Sequence, residues 1–426
     1  MQFYSTNNKN FIVNFKDAIL EGLAKDNGLF MPESIPTLSA EQITNIKNMS
    51  IKDIAYEILS LYTKDEIPEK DLIEIIEKTF LFDSPIKQFD ENISILELFH
   101  GPTFAFKDFG ARFLANTSSY LLKDSDKQIT VIVATSGDTG SAVASAFYGL
   151  PNSKVYLLYP SNKVSKIQEQ QLTTFGNNIT ALEILGDFDD CQKIVKTLLV
   201  DNDLKNKYHL TSANSINIGR LLPQIVYYFR AYAQINTDKE IVFSVPSGNF
   251  GNLTAGILAN KMGLPVKHFI ASLNSNDVFY KFLKTGKFEP QPTKITFANA
   301  MDVGNPSNFW RIWDIYNKNY DTLKQEIHSY SFSNENIIEG INIFYNKYKY
   351  LIEPHSSCGF LGIENDNNPY HNIFLGTAHP AKFIDIIEKY TNYKVDIPVK
   401  LKDVLEKEKQ SIKVVADANK VKEIIY

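Results

Sequence analysis

Short runs of consecutive apolar residues constrain this chain more than any other feature. They lie at residues 93–99, 129–134, 155–159, 179–185, 241–245, 266–273 and 373–375. Unbroken Val/Ile/Leu-rich runs suit strands covered on both faces, whereas alternating patterns suit strands with one wet face. Most of the intervals between them are long enough for a crossover helix, which parallel strands require. The expected architecture is therefore α/β with more than one parallel sheet. The first ninety residues read differently. Ile54, Ile58 and Leu61, then Leu72, Ile73 and Ile76, recur at helical spacing, and Pro32, Pro36 and Pro68 separate the segments. The expected division is a mainly helical N-terminal domain over 1–92, an α/β domain over 93–235 and a second α/β domain over 236–426. The tail beyond about residue 395, rich in Lys and Glu with apolar residues at helical spacing, reads as a packing helix.

Composition narrows the function class. With 426 residues and 44% hydrophobic content the chain has ample core for two or three domains. Lys and Arg total 44 against 49 Asp and Glu, a net charge of −5, so nucleic acid is not the expected partner. A local field can still oppose that net charge and hold a small anion. Two cysteines, Cys191 and Cys358, exclude a disulfide scaffold and read as buried free thiols. No basic segment followed by an apolar run opens the chain, and no membrane-length apolar stretch occurs. A cytoplasmic enzyme, monomeric or homodimeric, is the expectation. The seven histidines are scattered with no recognised ligand pair, so no metal is expected.

The chemistry sits where strands turn into helices, because ligands of open α/β sheets bind beyond the carboxyl ends of strands. The turn after residues 93–99 reads His-Gly-Pro-Thr-Phe-Ala-Phe-Lys-Asp-Phe-Gly and ends at Gly110. Its Lys107 opens a helix beside Phe104 and Phe106, and apolar surroundings favour a neutral, nucleophilic amine. On that segment alone a surface lysine remains the alternative. After residues 129–134 come Ser136, Gly137, Asp138 and Thr139, suited either to an anion at a helix start or to a tight capped turn. After residues 241–245 come Ser247, Gly248, Asn249, Phe250, Gly251 and Asn252. That turn has neither the lysine of a Walker loop nor the G-x-G-x-x-G pattern, yet two glycines at a helix start make a phosphate nest. A fourth turn carries Thr377, whose hydroxyl can meet a ring nitrogen, and His379, a capping histidine by default. A fifth segment contains Asn214, Ser215 and Arg220, where the planar guanidinium can bind a dianion or simply follow a helix cap.

Taken in order, these segments resemble the threonine synthase family of pyridoxal-phosphate enzymes, which have the tryptophan-synthase-β fold (fold type II). The resemblance begins at Phe3-Tyr4-Ser5-Thr6 and runs through Gly22-Leu23-Ala24, Gly28-Leu29 and Pro32-Glu33. It includes every turn quoted above, Asn299-Ala300-Met301-Asp302-Val303 and Glu353-Pro354-His355, and covers about the first 390 residues. A lone glycine loop would be weak, whereas this ordered set is specific.

The resemblance implies a site between two α/β domains and assigns roles residue by residue. Lys107 would be joined covalently to pyridoxal 5'-phosphate. Gly248, Asn249, Phe250, Gly251 and Asn252 would hold the cofactor phosphate. Thr377 would hydrogen-bond the pyridine nitrogen and leave it largely unprotonated. Ser136, Gly137 and Thr139 would receive the substrate carboxylate, while Asn214, Ser215 and Arg220, with Lys163 helping, would receive the substrate phosphate. Asp138 departs from the broader fold family, where Asn is common. A carboxylate there repels the substrate carboxylate unless it is compensated, so its expected role is contact with the cofactor's phenolic oxygen. The implied reaction is O-phospho-L-homoserine and water to L-threonine and phosphate, the last step of threonine biosynthesis. A phospho-lyase or a threonine or serine dehydratase of the same fold is the alternative. A plain dehydratase has no phosphorylated substrate for Arg220 to hold. A non-catalytic metabolite-binding α/β protein would leave Lys107 unexplained.

Overall fold

The computed structural model describes residues 1–126 and 128–426. Two parallel sheets, each flanked by helices, account for most of the chain. The larger has six strands in the order Ile327–Ser331, His268–Leu273, Ile241–Pro246, His371–Gly376, Ile93–Glu97 and Ile86–Gln88. All its pairings are parallel except the last, where Ile86–Gln88 runs antiparallel to Ile93–Glu97. The smaller has five parallel strands in the order Ile412–Val415, Ile179–Leu185, Ser153–Pro160, Ile129–Ala134 and His209–Thr211. The central strands Ile129–Ala134, Ile241–Pro246, His268–Leu273 and His371–Gly376 are buried at every position. Unbroken apolar runs are the sequence signature of that two-faced burial.

Strand pairing crosses the linear boundaries expected at 92 and 235. Ile93–Glu97 belongs to the larger sheet, paired with His371–Gly376 from near the C-terminus. The tail is more than a packing helix. Ile412–Val415 extends the smaller sheet beside Ile179–Leu185, and the following helix Ala418–Ile425 buries Val421 and Ile425. In each sheet a segment distant in sequence pairs with a long buried strand, so sheet membership does not follow chain order. The N-terminal region is helical over Ile51–Thr63 and Glu69–Thr79, but it also contains a small antiparallel sheet of Ile12–Asn14, Gln2–Ser5 and Phe30–Pro32. Ser50 and Asp53 form a reciprocal cap that starts the first of these helices. Ile54, Ile58, Leu72 and Ile76 face the core as expected, whereas Ile73 points to solvent. Both cysteines are buried and free. Among the described residues no helix is long and apolar enough to cross a membrane.

Candidate active site

Five strand ends converge on one cavity. Its lining includes Lys107, Ser136, Asp138, Thr139, Asn214, Ser215, Arg220, the loop from Gly248 to Asn252, and Thr377. Two close backbone approaches bring these parts together. The helices Lys107–Leu121 and Ile218–Gln234 cross at Gly110, where a Cβ would lie 2.6 Å from the Arg220 carbonyl oxygen. That crossing places Lys107 and Arg220 on the same cavity wall. The Lys107 loop is also stitched to the Thr377 loop: the Phe106 N–H donates to the Thr377 carbonyl at 2.9 Å and the His379 N–H to the Phe104 carbonyl at 3.0 Å. His379 itself accepts the Ala381 N–H at 3.1 Å, a capping role.

Lys107 is the first residue of its helix and its side chain is 14% exposed. Its amine lies 5.0 Å from the centre of the Phe106 ring. Burial pulls its pKa below the ordinary lysine range, against the opposing attraction of Asp138. The Asp138 carboxylate lies 3.8 Å from that amine. Its other oxygen, 3.0 Å from Lys382 Nζ, also accepts from Gln168 Nε2 at 3.0 Å. Burial alone would raise the Asp138 carboxyl, but Lys382 foremost and Lys107 next hold it well below the usual carboxylate range. The repulsion that a carboxylate at this position threatened is therefore answered by a lysine that the sequence reading passed over. Lys382 is fully buried and also donates to the Thr103 carbonyl at 2.8 Å.

The loop after Ile241–Pro246 is fixed by its own side chains. Asn252 accepts from Ser247 Oγ at 2.6 Å and donates to the Pro246 carbonyl at 2.8 Å. Asn249 donates to Ser215 Oγ at 2.6 Å and accepts the Ser307 N–H at 2.6 Å. Both amides are thus committed to holding the loop, and what the loop offers a phosphate is backbone N–H at the start of the helix Gly251–Lys261. Phe250 makes the turn in the left-handed region at φ 61°, its ring anchored 4.9 Å from that of Phe279. At Gly248 a Cβ would meet Met301 Cα at 2.5 Å, so the backbone there leaves no room for a side chain.

Asn214 donates to the Ala134 carbonyl at 2.9 Å, tying its segment to the Ser136 turn. Arg220 is buried, donates from one terminal nitrogen to the Ala213 carbonyl, and leaves its Nε with no hydrogen-bond partner. Desolvation brings its pKa down to about 10. Its Nε is packed at the Gly110 crossing, but the residue lines the cavity, and a guanidinium there is a ready receptor for a dianion. Gly137 makes the turn at φ 134°, with its N–H donating to Thr135 Oγ1 at 3.0 Å. Two of the expected residues, Gly137 and Lys163, are not among those lining the cavity. Lys163 sits exposed on the turn after Ser153–Pro160, while the next helix, capped by Ser165, turns Gln168 inward.

Thr377 lines the cavity, and its hydroxyl donates to Glu353 Oε1 at 3.2 Å. Glu353 is fully buried and caps the helix Pro354–Asp366, accepting from the His355 and Ser356 N–H groups. Burial opposes its ionisation, yet His355 and these hydrogen bonds keep it below the ordinary range. His355 Nε2 accepts the Ala300 N–H at 3.1 Å and so fixes the segment Asn299–Met301 against the cavity. The residues fit pyridoxal phosphate by donor chemistry: a desolvated lysine, a glycine cradle at a helix start closed against Met301, and a hydroxyl backed by a buried carboxylate.

The whole chain has relatives of this kind. Residues 74–371 match the family described as pyridoxal-phosphate dependent enzyme, residues 2–80 match the threonine synthase N terminus, and residues 361–425 match the threonine synthase C-terminal region. The threonine synthase of Escherichia coli strain K12 is 43% identical over 404 residues, 94% of each chain. The chain belongs to the threonine synthase family. The crystal structure of the Escherichia coli threonine synthase superposes with a TM-score of 0.94 at 40% identity, covering 100% of this chain and 99% of that one. The pyridoxal-phosphate-bound threonine synthase of Brucella melitensis superposes with a TM-score of 0.92 at 32% identity, covering 100% and 98%. Membership of the threonine synthase family makes the cofactor pyridoxal phosphate and the fold type II.

Proposed function

We propose that this chain converts O-phospho-L-homoserine and water into L-threonine and inorganic phosphate, with Lys107 carrying the cofactor. The observation that carries this reading is the pairing of a desolvated lysine with a buried, partly unpartnered arginine in one cavity. A plain dehydratase needs the lysine but has no use for the arginine.

The backbone amides at Gly248, Asn249, Phe250 and Gly251 would hold the cofactor phosphate, and Thr377 would meet its ring. Once bound, pyridoxal phosphate disperses the negative charge that develops when protons leave the substrate carbons. The chain's own groups do the rest. Ser136, Gly137 and Thr139, at the start of the helix Asp138–Phe147, orient the substrate carboxylate. Arg220 and Ser215 hold the substrate phosphate, stabilise it as it leaves the γ-carbon, and keep it positioned while water is added at the β-carbon. Lys107 Nζ, whose burial favours the neutral amine, removes the α-proton and returns protons where the product needs them. Asp138 holds the amine in place, and Lys382 keeps Asp138 ionised.

Incubation of the purified holoenzyme with O-phospho-L-homoserine should release phosphate and L-threonine in equal amounts. Release of 2-oxobutyrate and ammonia in place of threonine would instead assign the chain to the phospho-lyase reading.

A further inference from the structure

Away from the cavity, at the opposite end of the larger sheet, three chemistry-bearing side chains that are far apart in sequence meet. His268 begins the strand His268–Leu273, His328 lies near the start of its neighbour Ile327–Ser331, and Asp366 ends the helix Pro354–Asp366 packed on that sheet. Asp366 presents one carboxylate oxygen to His268 Nε2 at 2.9 Å and the other to His328 Nδ1 at 2.5 Å. The two imidazole rings face each other with centres 4.2 Å apart. One potential ligand atom from each residue can be chosen so that all lie within 4.8 Å of one another.

From this convergence we infer that His268, His328 and Asp366 form a binding site for a divalent transition metal of the zinc type. Two imidazole nitrogens and the two oxygens of one carboxylate supply four donor atoms. Zinc and its neighbours accept such a mixed nitrogen–oxygen set, whereas magnesium and calcium prefer oxygen alone. The carboxylate is already oriented from behind. Asn368 Nδ2 donates to the oxygen facing His268 at 2.6 Å, and the Tyr330 hydroxyl to the oxygen facing His328 at 3.1 Å. Metal ligands are commonly held by such outer partners. Burial completes the case: His268 and Asp366 are 7% and 2% exposed, but His328 is 41% exposed, so an ion and a water ligand have a path in. Without metal, the ring nitrogens facing the carboxylate hydrogen-bond to it. With metal, those nitrogens become ligands, and each neutral ring carries its one hydrogen on the other nitrogen. The site joins an outer strand of the sheet to the helix that carries Glu353 at its other end, which makes it a structural clamp and not part of the chemistry.

The test uses the holoenzyme freed of metal by a chelator and titrated with Co²⁺. Wild type should bind one equivalent, develop the visible absorption of cobalt in a low-coordinate nitrogen–oxygen site, and lose that absorption when Zn²⁺ displaces the cobalt. Zn²⁺ should also raise its melting temperature. His328→Gln, which alters the exposed ligand, should abolish both effects with threonine formation unchanged. Tyr330→Phe should weaken Co²⁺ binding by about tenfold. Absence of cobalt absorption and of a zinc-dependent melting shift in wild type would overturn the proposal, leaving a hydrogen-bonded clamp. So would an unchanged cobalt spectrum in His328→Gln.

Discussion

Asp138 stands between two lysines of different burial, Lys107 at 14% exposure and Lys382 at 0%. That asymmetry assigns them different work. Lys107 can reach a ligand, whereas Lys382 is sealed and acts through the carboxylate. Lys382→Met removes a positive charge that lowers the Lys107 pKa and leaves Asp138 to raise it. The amine then holds its proton more tightly, so the acidic limb of the rate–pH profile should move to higher pH. An unmoved limb would mean that Lys382 serves packing alone. Arg220→Ala removes the buried guanidinium that faces the cavity. The kcat/KM for O-phospho-L-homoserine should fall by roughly 10²-fold or more, as when one member of a buried charge pair is lost. Binding of L-serine, which lacks a phosphate, should change little, and an equal loss for both ligands would place Arg220 outside the phosphate site. At this scale the sequence was informative about Lys107, Asp138 and Arg220 because each sits in a turn of unusual composition. Lys382 ends the turn that carries Thr377 and was given no role there, and only the approach of that loop to the Asp138 helix gives it meaning. Lys163 lies exposed outside the cavity lining, and a basic residue near a strand end says nothing about which way the turn faces.

Among elements, the loop over Gly248 and the strands that carry it show what a local pattern can reveal. The long buried strands were legible because two-faced burial demands an unbroken apolar run. The short edge strands Ile86–Gln88, His209–Thr211 and Ile412–Val415 were not, because pairing by an already formed sheet, and not their own composition, makes them strands. The phosphate loop was recognisable from its glycines, but the roles of Asn249 and Asn252 were not. Their amides are consumed in bracing the loop, and what they brace is a backbone pressed against Met301. Gly248→Ala would place a methyl group 2.5 Å from Met301 Cα, and backbone on both sides cannot yield cheaply. The variant should fold yet lose pyridoxal phosphate on dialysis, measured by cofactor absorbance in the retained protein. Retention equal to wild type would show that the loop has slack that the close packing does not suggest.

Across the whole molecule, the chain weaves between its two sheets. The strand just before the Lys107 loop and the strand just before Thr377 are neighbours in the larger sheet, and the C-terminal tail returns to close the smaller one. Removing residues 411–426 would strip Val414, Val421 and Ile425 from the core beneath Ile184 and Ile194. At about 1.5–3 kcal/mol for each buried side chain, the loss is on the order of 5 kcal/mol. Calorimetry should then show a lowered melting temperature, and an unchanged one would mean that the tail only decorates the edge. The same weave seals Lys382 while leaving Lys107 open to the cavity, so the two lysines beside Asp138 cannot exchange roles. Borohydride reduction of the holoenzyme followed by peptide mass spectrometry tests that claim directly. A pyridoxyl group is expected on Lys107 and none on Lys382. A label on Lys382, or on any lysine outside the cavity, would contradict it.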